Sequence, residues 1–208
     1  GIVKKARQIE ALGYPMIWEN IGDPIQKSNQ LPEWMKTIIA DLLKEDKTYG
    51  YADSKGVLET RSFLAQLNND KKGAQITAED ILFFNGLGDA IAKLYQFLIP
   101  TARIIGPSPA YSTHSSAEAA HANTAPITYK LDPENQWLPD MEDLYLKVKY
   151  NPSIVGILII NPDNPTGMVY PKEVLEDFVK IAEEFSLLLI SDEIYHNITY
   201  NGVKAVAL

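Results

Sequence analysis

Several features that this sequence lacks exclude particular kinds of site and partner. It contains no cysteine, which excludes disulfides, thiolate metal ligands and a cysteine nucleophile. Its longest apolar run is about seven residues, against the roughly 20 that a membrane helix needs, so we expect no membrane partner. Basic residues are outnumbered, 19 Lys and Arg against 27 Asp and Glu. With a net charge of −8 and no basic run, nucleic acid is not an expected partner.

Metal ligands also lack a recognisable pattern. The three histidines, His114, His121 and His196, have no ligand spacing with carboxylates. We therefore expect no metal site and interpret the histidines as surface or packing residues. No N-terminal stretch resembles a signal peptide, and we expect a cytoplasmic protein.

What the sequence does have is an ordinary globular composition, with 46% hydrophobic and 22% charged residues in 208. That is enough for one sizeable core. Apolar strand patterns alternate with helical patterns along most of the chain, which predicts an α/β fold with a doubly wound, mostly parallel sheet. Residues 17–24 are predicted as a short strand that ends in a Gly-Asp-Pro turn. Further strands are predicted at residues 81–84, 102–105, 127–131, 154–160 and 187–190, and residues 137–140 are predicted as a loop.

The most informative stretch runs from Ile154 to Tyr200. Residues 154–160 form an unbroken apolar run, as expected for a strand buried on both faces, and residues 161–167 form a Pro- and Gly-rich turn. A helix starting with Pro171 at its first position follows, and a second strand then ends in residues 191–195. A right-handed crossover brings both strand ends to one sheet edge, where α/β folds bind ligands.

The two strand ends read Asn-Pro-Asp-Asn-Pro-Thr-Gly, at 161–167, and Ser-Asp-Glu-Ile-Tyr, at 191–195. In this order they resemble the class I/II aminotransferases, a family of pyridoxal-phosphate (PLP) enzymes. The resemblance implies that Asp192 faces the pyridine nitrogen of PLP, while Asn164 and Tyr195 donate to its phenolic oxygen. Glu193 points to the opposite side of an extended segment and is expected to be structural.

A glycine-bearing turn, Asn85-Gly-Leu-Gly-Asp89, precedes a predicted helix. Free amides at a helix start suit a phosphate, although such turns also need glycine for steric reasons alone. The resemblance implies that the backbone of Gly86, Leu87 and Gly88 binds the cofactor phosphate. Asp89 would repel a phosphate unless its carboxylate turns away as a cap.

Three further residues match family positions. The resemblance places Tyr111 against the cofactor ring, and stacking on an electron-poor ring is physically reasonable. Tyr51, five residues before Gly56, matches a tyrosine that reaches the phosphate of the neighbouring subunit in a homodimer. Gly22 matches a glycine beside the substrate carboxylate. Without the resemblance, Tyr51 could simply cover its own core and Gly22 could simply make a turn.

The family's lysine, which binds the cofactor covalently, lies a few tens of residues beyond the aspartate matching Asp192, whereas the sequence stops at Leu208. Lys204 lacks the surrounding motif and is not assigned. We therefore expect a fragment: residues 1–30 as an N-terminal arm and part of the small domain, residues 31–208 as an incomplete PLP-binding large domain, and no C-terminal small domain.

The preferred function is a PLP-dependent aminotransferase acting on an amino acid and a 2-oxo acid, with the specific substrates open. A PLP-dependent carbon–sulfur β-lyase shares every motif present, and a PLP-sensing regulatory domain also stays open. A phosphate-binding module without PLP is a further alternative, and the Asp192–Glu193 pair could instead ligate magnesium.

Overall fold

The computed structural model describes residues 1–19 and 22–208. The chain divides into two compact units, residues 1–82 and 83–208. In order, the α-helices are α1 (Ile2–Glu10), α2 (Glu33–Leu42), α3 (Leu58–Asn69), α4 (Leu87–Gln96), α5 (Ser112–Ala122), α6 (Met141–Tyr150) and α7 (Lys172–Phe185). None of these helices in the described part of the chain has the length and apolarity that crossing a membrane requires.

The second unit contains a five-stranded sheet. Its strands are β1 (Arg103–Ser108), β2 (Thr128–Asp132), β3 (Leu138–Pro139), β4 (Ile154–Ile160) and β5 (Leu188–Asp192), in the spatial order β3-β2-β1-β4-β5. Strands β2, β1, β4 and β5 are parallel, and only the short β3 is antiparallel. The predicted α/β fold with a mostly parallel sheet is confirmed.

Strand β4 lies between β1 and β5, and both of its faces are covered. Ile157 and Ile159 lie in the core shared with α6 and α7, whereas Leu158 and Ile160 lie in the core shared with α4. Successive side chains of a strand point to opposite faces, so a strand with helices on both sides needs an unbroken apolar sequence. The sheet is therefore doubly wound, with helices on both faces.

Gly156 allows the neighbouring strands to approach β4 closely. A Cβ built on Gly156 would lie 2.8 Å from Ile104 Cδ1 and 3.1 Å from the carbonyl oxygen of Leu188. The second contact is to backbone of β5, which cannot move aside without disturbing the sheet. Glycine is therefore needed here for packing rather than for a turn.

Several sequence predictions of local structure were wrong. Residues 81–84 form no strand, and residues 138–139, predicted as loop, form β3 at the sheet edge. Pro171 is the N-cap of α7 rather than its first residue. The strand predicted at 17–24 includes residues 20 and 21, which lie outside the described residues; the described residues on either side of them are not in a strand.

The first unit is held locally by polar contacts around Arg61, which is 4% exposed. Its guanidinium donates to the carbonyl oxygens of Gly56 and Ala78 and contacts the Glu79 carboxylate at 3.2 Å. These contacts join α3 to the short 3-10 helix Ala78–Asp80. The domain boundary predicted after residue 30 concerns the complete protein and stays a prediction.

Candidate functional site

Two polar strand ends meet at the carboxyl edge of the sheet. The β4–β5 ladder runs to the pair Ile160 and Asp192, and the next amide, Asn161 N–H, donates to the carbonyl oxygen of Asp192 at 3.0 Å. The turns that follow the two strands therefore begin side by side. This is the edge at which α/β sheets bind ligands.

Asp192 is a buried carboxylate with a histidine partner. It is 6% exposed, and its Oδ2 lies 2.8 Å from Nε2 of His114, which is itself 4% exposed. Its Oδ1 accepts a hydrogen bond from the Ile194 amide at 3.2 Å. The carboxylate is thus oriented by two contacts, one from α5 and one from its own turn.

His114 is the residue of this cluster that the sequence did not connect with Asp192, since it was interpreted only as a surface or packing residue. It lies 78 residues before Asp192 and meets it only because α5 packs on the sheet beside β1. A histidine two residues into a helix carries no metal or catalytic signature. The sequence offered only one indication, that His114 follows Tyr111 by three residues and so shares its side of the helix.

Asn164 and Tyr195 come together from the two turns. The amide Nδ2 of Asn164 donates to the hydroxyl of Tyr195 at 3.4 Å, across 31 residues of sequence. Asn164 is partly buried and Tyr195 is 37% exposed. The two side chains are therefore adjacent and remain open to a ligand, and Tyr195 can reorient its hydroxyl toward an acceptor.

The turn that presents Asn164 is built by Asp163, which is 4% exposed. Its Oδ2 accepts hydrogen bonds from the Thr166 amide and hydroxyl, whereas its Oδ1 has no partner among the described residues. Burial raises the pKa of the Asp163 carboxyl, and the two bonds from Thr166 oppose that rise. Asp163 and Thr166 thus hold the turn without using the Asn164 side chain, whose Nδ2 makes the long contact with Tyr195.

The glycine turn before α4 exposes backbone on the same unit. Gly86, the N-cap of α4, has φ 85° and ψ 169°, which is essentially a glycine-only conformation. The first amides of α4 lack intrahelical acceptors, as at every helix start. The Asp89 carboxylate accepts a hydrogen bond from Asn85 N–H at 3.2 Å, so it caps the turn, as the sequence required for a phosphate to bind here.

Tyr111 is the N-cap of α5 and is 38% exposed. The ring centroid is 6.1 Å from that of His114, and the two planes meet at 79°. This edge-to-face contact orients the Tyr111 ring and leaves part of its face free. Tyr111 and Asp192 therefore contact the same histidine.

Gly22 and Tyr51 lie in the first unit, and both are exposed. The Tyr51 side chain is fully accessible, so it does not cover its own core. A role for Tyr51 at a neighbouring subunit and a role for Gly22 beside the substrate stay predictions.

The second unit fits the group that the resemblance implies. PLP needs an anion at its ring nitrogen, donors at its phenolic oxygen, an aromatic face and a phosphate cradle. The buried Asp192, the Asn164–Tyr195 pair and the exposed Tyr111 ring supply the first three. A Cβ built on Gly86 or Gly88 would meet no heavy atom of the described residues within 4 Å, so the space above these glycines is open. The described residues contain no cluster of three His, Asp or Glu placed to hold a metal ion.

We predict different results from replacing the two glycines by alanine. Gly86→Ala forces a side chain into a glycine-only backbone region and should destabilise the protein by about 1–3 kcal/mol. Gly88→Ala lies in the first turn of α4, has open space around it and should leave stability unchanged or slightly higher. If the turn binds the PLP phosphate, both variants should bind PLP more weakly. Urea unfolding measures the first effect and PLP titration the second; normal PLP affinity in both variants would contradict a phosphate role.

Comparison with known proteins identifies a family that matches most of the chain. The family model "Aminotransferase class I and II" matches residues 15–208. The chain is 58% identical over 203 residues to the uncharacterized aminotransferase MJ1479 of Methanocaldococcus jannaschii, covering 98% of this chain and 47% of that protein. It is 33% identical to the glutamate-pyruvate aminotransferase AlaA of Escherichia coli, covering 98% of this chain and 49% of AlaA.

Solved structures agree with these relatives. An alanine aminotransferase from Pyrococcus furiosus superposes with a TM-score of 0.85 at 32% identity, covering 98% of this chain and 51% of that one. The chain therefore spans about half the length of the proteins that it matches.

Proposed function

The chain belongs to the class I and II aminotransferase family, and on that premise we propose that the complete protein is a PLP-dependent aminotransferase. It would move an amino group from an amino acid to a 2-oxo acid. The observation that carries the proposal is the buried Asp192–His114 pair, which lies on the same sheet edge as the adjacent Asn164 and Tyr195. This pair places an oriented carboxylate beside two hydrogen-bonding side chains at the edge where α/β sheets bind ligands.

Bound PLP would supply an electron sink for the electrons left when an amino acid loses its α-proton. The residues of this chain would bind and orient the PLP ring. The Asp192 carboxylate would hold a proton at the heterocyclic nitrogen by direct charge pairing. His114 fixes the direction of that carboxylate through its 2.8 Å contact, and burial of both side chains keeps water from weakening the pairing.

At the other side of the ring, Asn164 and Tyr195 would donate hydrogen bonds to the phenolic oxygen. Both are donors, and their present contact at 3.4 Å is a long one that a better acceptor can replace. Tyr111 would cover one face of the ring, and the amides of Gly86, Leu87 and Gly88 would bind the phosphate.

The relatives suggest where to begin with substrates. AlaA is named a glutamate-pyruvate aminotransferase and the Pyrococcus protein an alanine aminotransferase. We therefore propose alanine, glutamate and their 2-oxo acids as the first substrates to test. The homodimer in which Tyr51 reaches the neighbouring site, the substrate contact of Gly22 and the cytoplasmic location belong to the same proposal.

The test uses the full-length protein, incubated with PLP and freed of excess cofactor. We expect a visible absorbance band from bound PLP, and pyruvate formation from alanine only when 2-oxoglutarate is present. Pyruvate and ammonia released from a cysteine conjugate, without amino transfer, would favour the carbon–sulfur β-lyase. Absence of both the band and the activity would reject a PLP enzyme.

A further inference from the structure

Asn161 lies where the two polar strand ends are joined, and the proposed chemistry gives it no role. It is 2% exposed, and three of its groups have protein partners. Its backbone N–H donates to the carbonyl oxygen of Asp192 at 3.0 Å. Its side-chain Oδ1 accepts from the Tyr170 amide at 2.9 Å, and its Nδ2 donates to the carbonyl oxygen of Val206 at 3.3 Å. One buried residue thus contacts three separate segments.

The first two contacts determine where the Asn164 turn lies relative to β5. The backbone bond continues the β4–β5 ladder past its last strand pair, so the ladder fixes the position of the Asn161 backbone relative to Asp192. The bond from Tyr170 closes the segment 161–170, because it ties the residue just before α7 back to the end of β4. Asn164 lies inside that closed segment, so its position depends on both bonds.

The third contact involves the segment that follows the Tyr195 turn. Val206 accepts from the Asn161 side chain, and two residues later the amide of Leu208 donates to the Glu193 carboxylate at 2.9 Å. Glu193 also accepts from the Ser191 hydroxyl, in agreement with the structural role expected for it. The Val206 segment therefore bridges the end of β4 and the turn that carries Asp192 and Tyr195.

We propose that Asn161 is a positioning residue that holds Asn164 and Asp192 at the separation needed to contact opposite sides of one heterocyclic ring. The inference rests on the proposed function, because the ring is that of PLP. Only a side chain of this length with both an acceptor and a donor makes the two side-chain bonds. Alanine would leave the buried Tyr170 amide without a partner and would release the exposed Val206 segment from the end of β4. Aspartate would keep the acceptor for Tyr170 but lose the donor to Val206.

The experiment compares Asn161→Ala and Asn161→Asp with the unmodified full-length protein. PLP dissociation constants are measured by titration, and the pyridine nitrogen of ¹⁵N-labelled PLP is followed by NMR as a direct report on its contact with Asp192. We expect Asn161→Ala to raise the PLP dissociation constant at least about tenfold, because the buried Tyr170 amide loses its acceptor. The ¹⁵N signal should move toward that of unprotonated pyridine. Asn161→Asp should give a PLP affinity and a ¹⁵N signal between those of the alanine variant and the unmodified protein. It allows both measurements if the alanine variant does not fold.

Asn151→Ala is the matched control. The Asn151 side chain accepts hydrogen bonds from the Ser153 amide and hydroxyl, just before β4 begins. Its replacement therefore also removes two side-chain hydrogen bonds, but at the end of β4 that lies away from the site. It should lower the thermal midpoint without changing PLP affinity or the ¹⁵N signal. If both Asn161 variants bind PLP within twofold of the Asn151 variant and give the same ¹⁵N signal, Asn161 is merely structural and the inference is wrong. If the unmodified protein binds no PLP, the proposed function fails first, and this inference with it.

Discussion

Replacing Asp192 by asparagine is expected to lower kcat/KM for amino transfer by about 10²–10³-fold, the range seen when one preorganised electrostatic contact is removed from an active site. Asparagine keeps the shape and can still accept from the Ile194 amide, but it is neutral. The ring nitrogen then loses its charge partner, its pKa falls, and electron withdrawal weakens. Steady-state kinetics with saturating PLP measures the effect separately from cofactor loss.

Asp140→Asn is the control for that variant. Asp140 caps α6 by accepting from the Asp143 amide at 3.0 Å, and asparagine caps a helix about as well. Activity should therefore stay within about twofold of the unmodified protein. A loss of less than threefold in Asp192→Asn would show that Asp192 does not pair with the reacting ring.

Replacing Glu118 by alanine is expected to lower the free energy of unfolding by about 3–5 kcal/mol, the usual cost of removing one partner from a buried ion pair. Glu118 lies one turn after His114 on α5, and both its oxygens contact the Arg103 guanidinium of β1. Their side chains are only 3% and 13% exposed. Without Glu118, Arg103 keeps its bond to the Ala125 carbonyl but carries an uncompensated charge in a partly buried position.

Urea unfolding measures this cost, and two comparisons identify its cause. Glu176→Ala breaks the exposed Lys172–Glu176 pair on α7 and should change stability by less than about 1 kcal/mol. A double variant, Arg103→Met with Glu118→Leu, removes both charges and should recover most of the loss. A cost below about 1 kcal/mol for Glu118→Ala would mean that solvent reaches Arg103 and that the pair does not hold α5.

An apolar run predicted one strand correctly and another wrongly. Strand β4 was predicted at residues 154–160, where it lies, because a strand covered on both faces must be apolar throughout. Residues 81–84 are equally apolar, yet Leu82, Phe83 and Phe84 are exposed and form no strand. Apolar content predicts burial on a pleated surface, but a strand also needs a hydrogen-bonding neighbour, which composition does not reveal.

The motifs at residues 161–167 and 191–195 indicated the family by resemblance, and with it the proposed cofactor and the candidate residues Asn164, Asp192 and Tyr195. The residues themselves predicted that both strand ends lie at one sheet edge, because a crossover rule fixes the direction of the two strands. Tertiary structure alone decided that His114 orients Asp192 and that Asn161 joins the two turns. These contacts link residues 78 and 45 positions apart. Periodicity and turn chemistry report on neighbours along the chain, whereas contacts at such separations depend on how a helix packs on a sheet and where a distant segment returns.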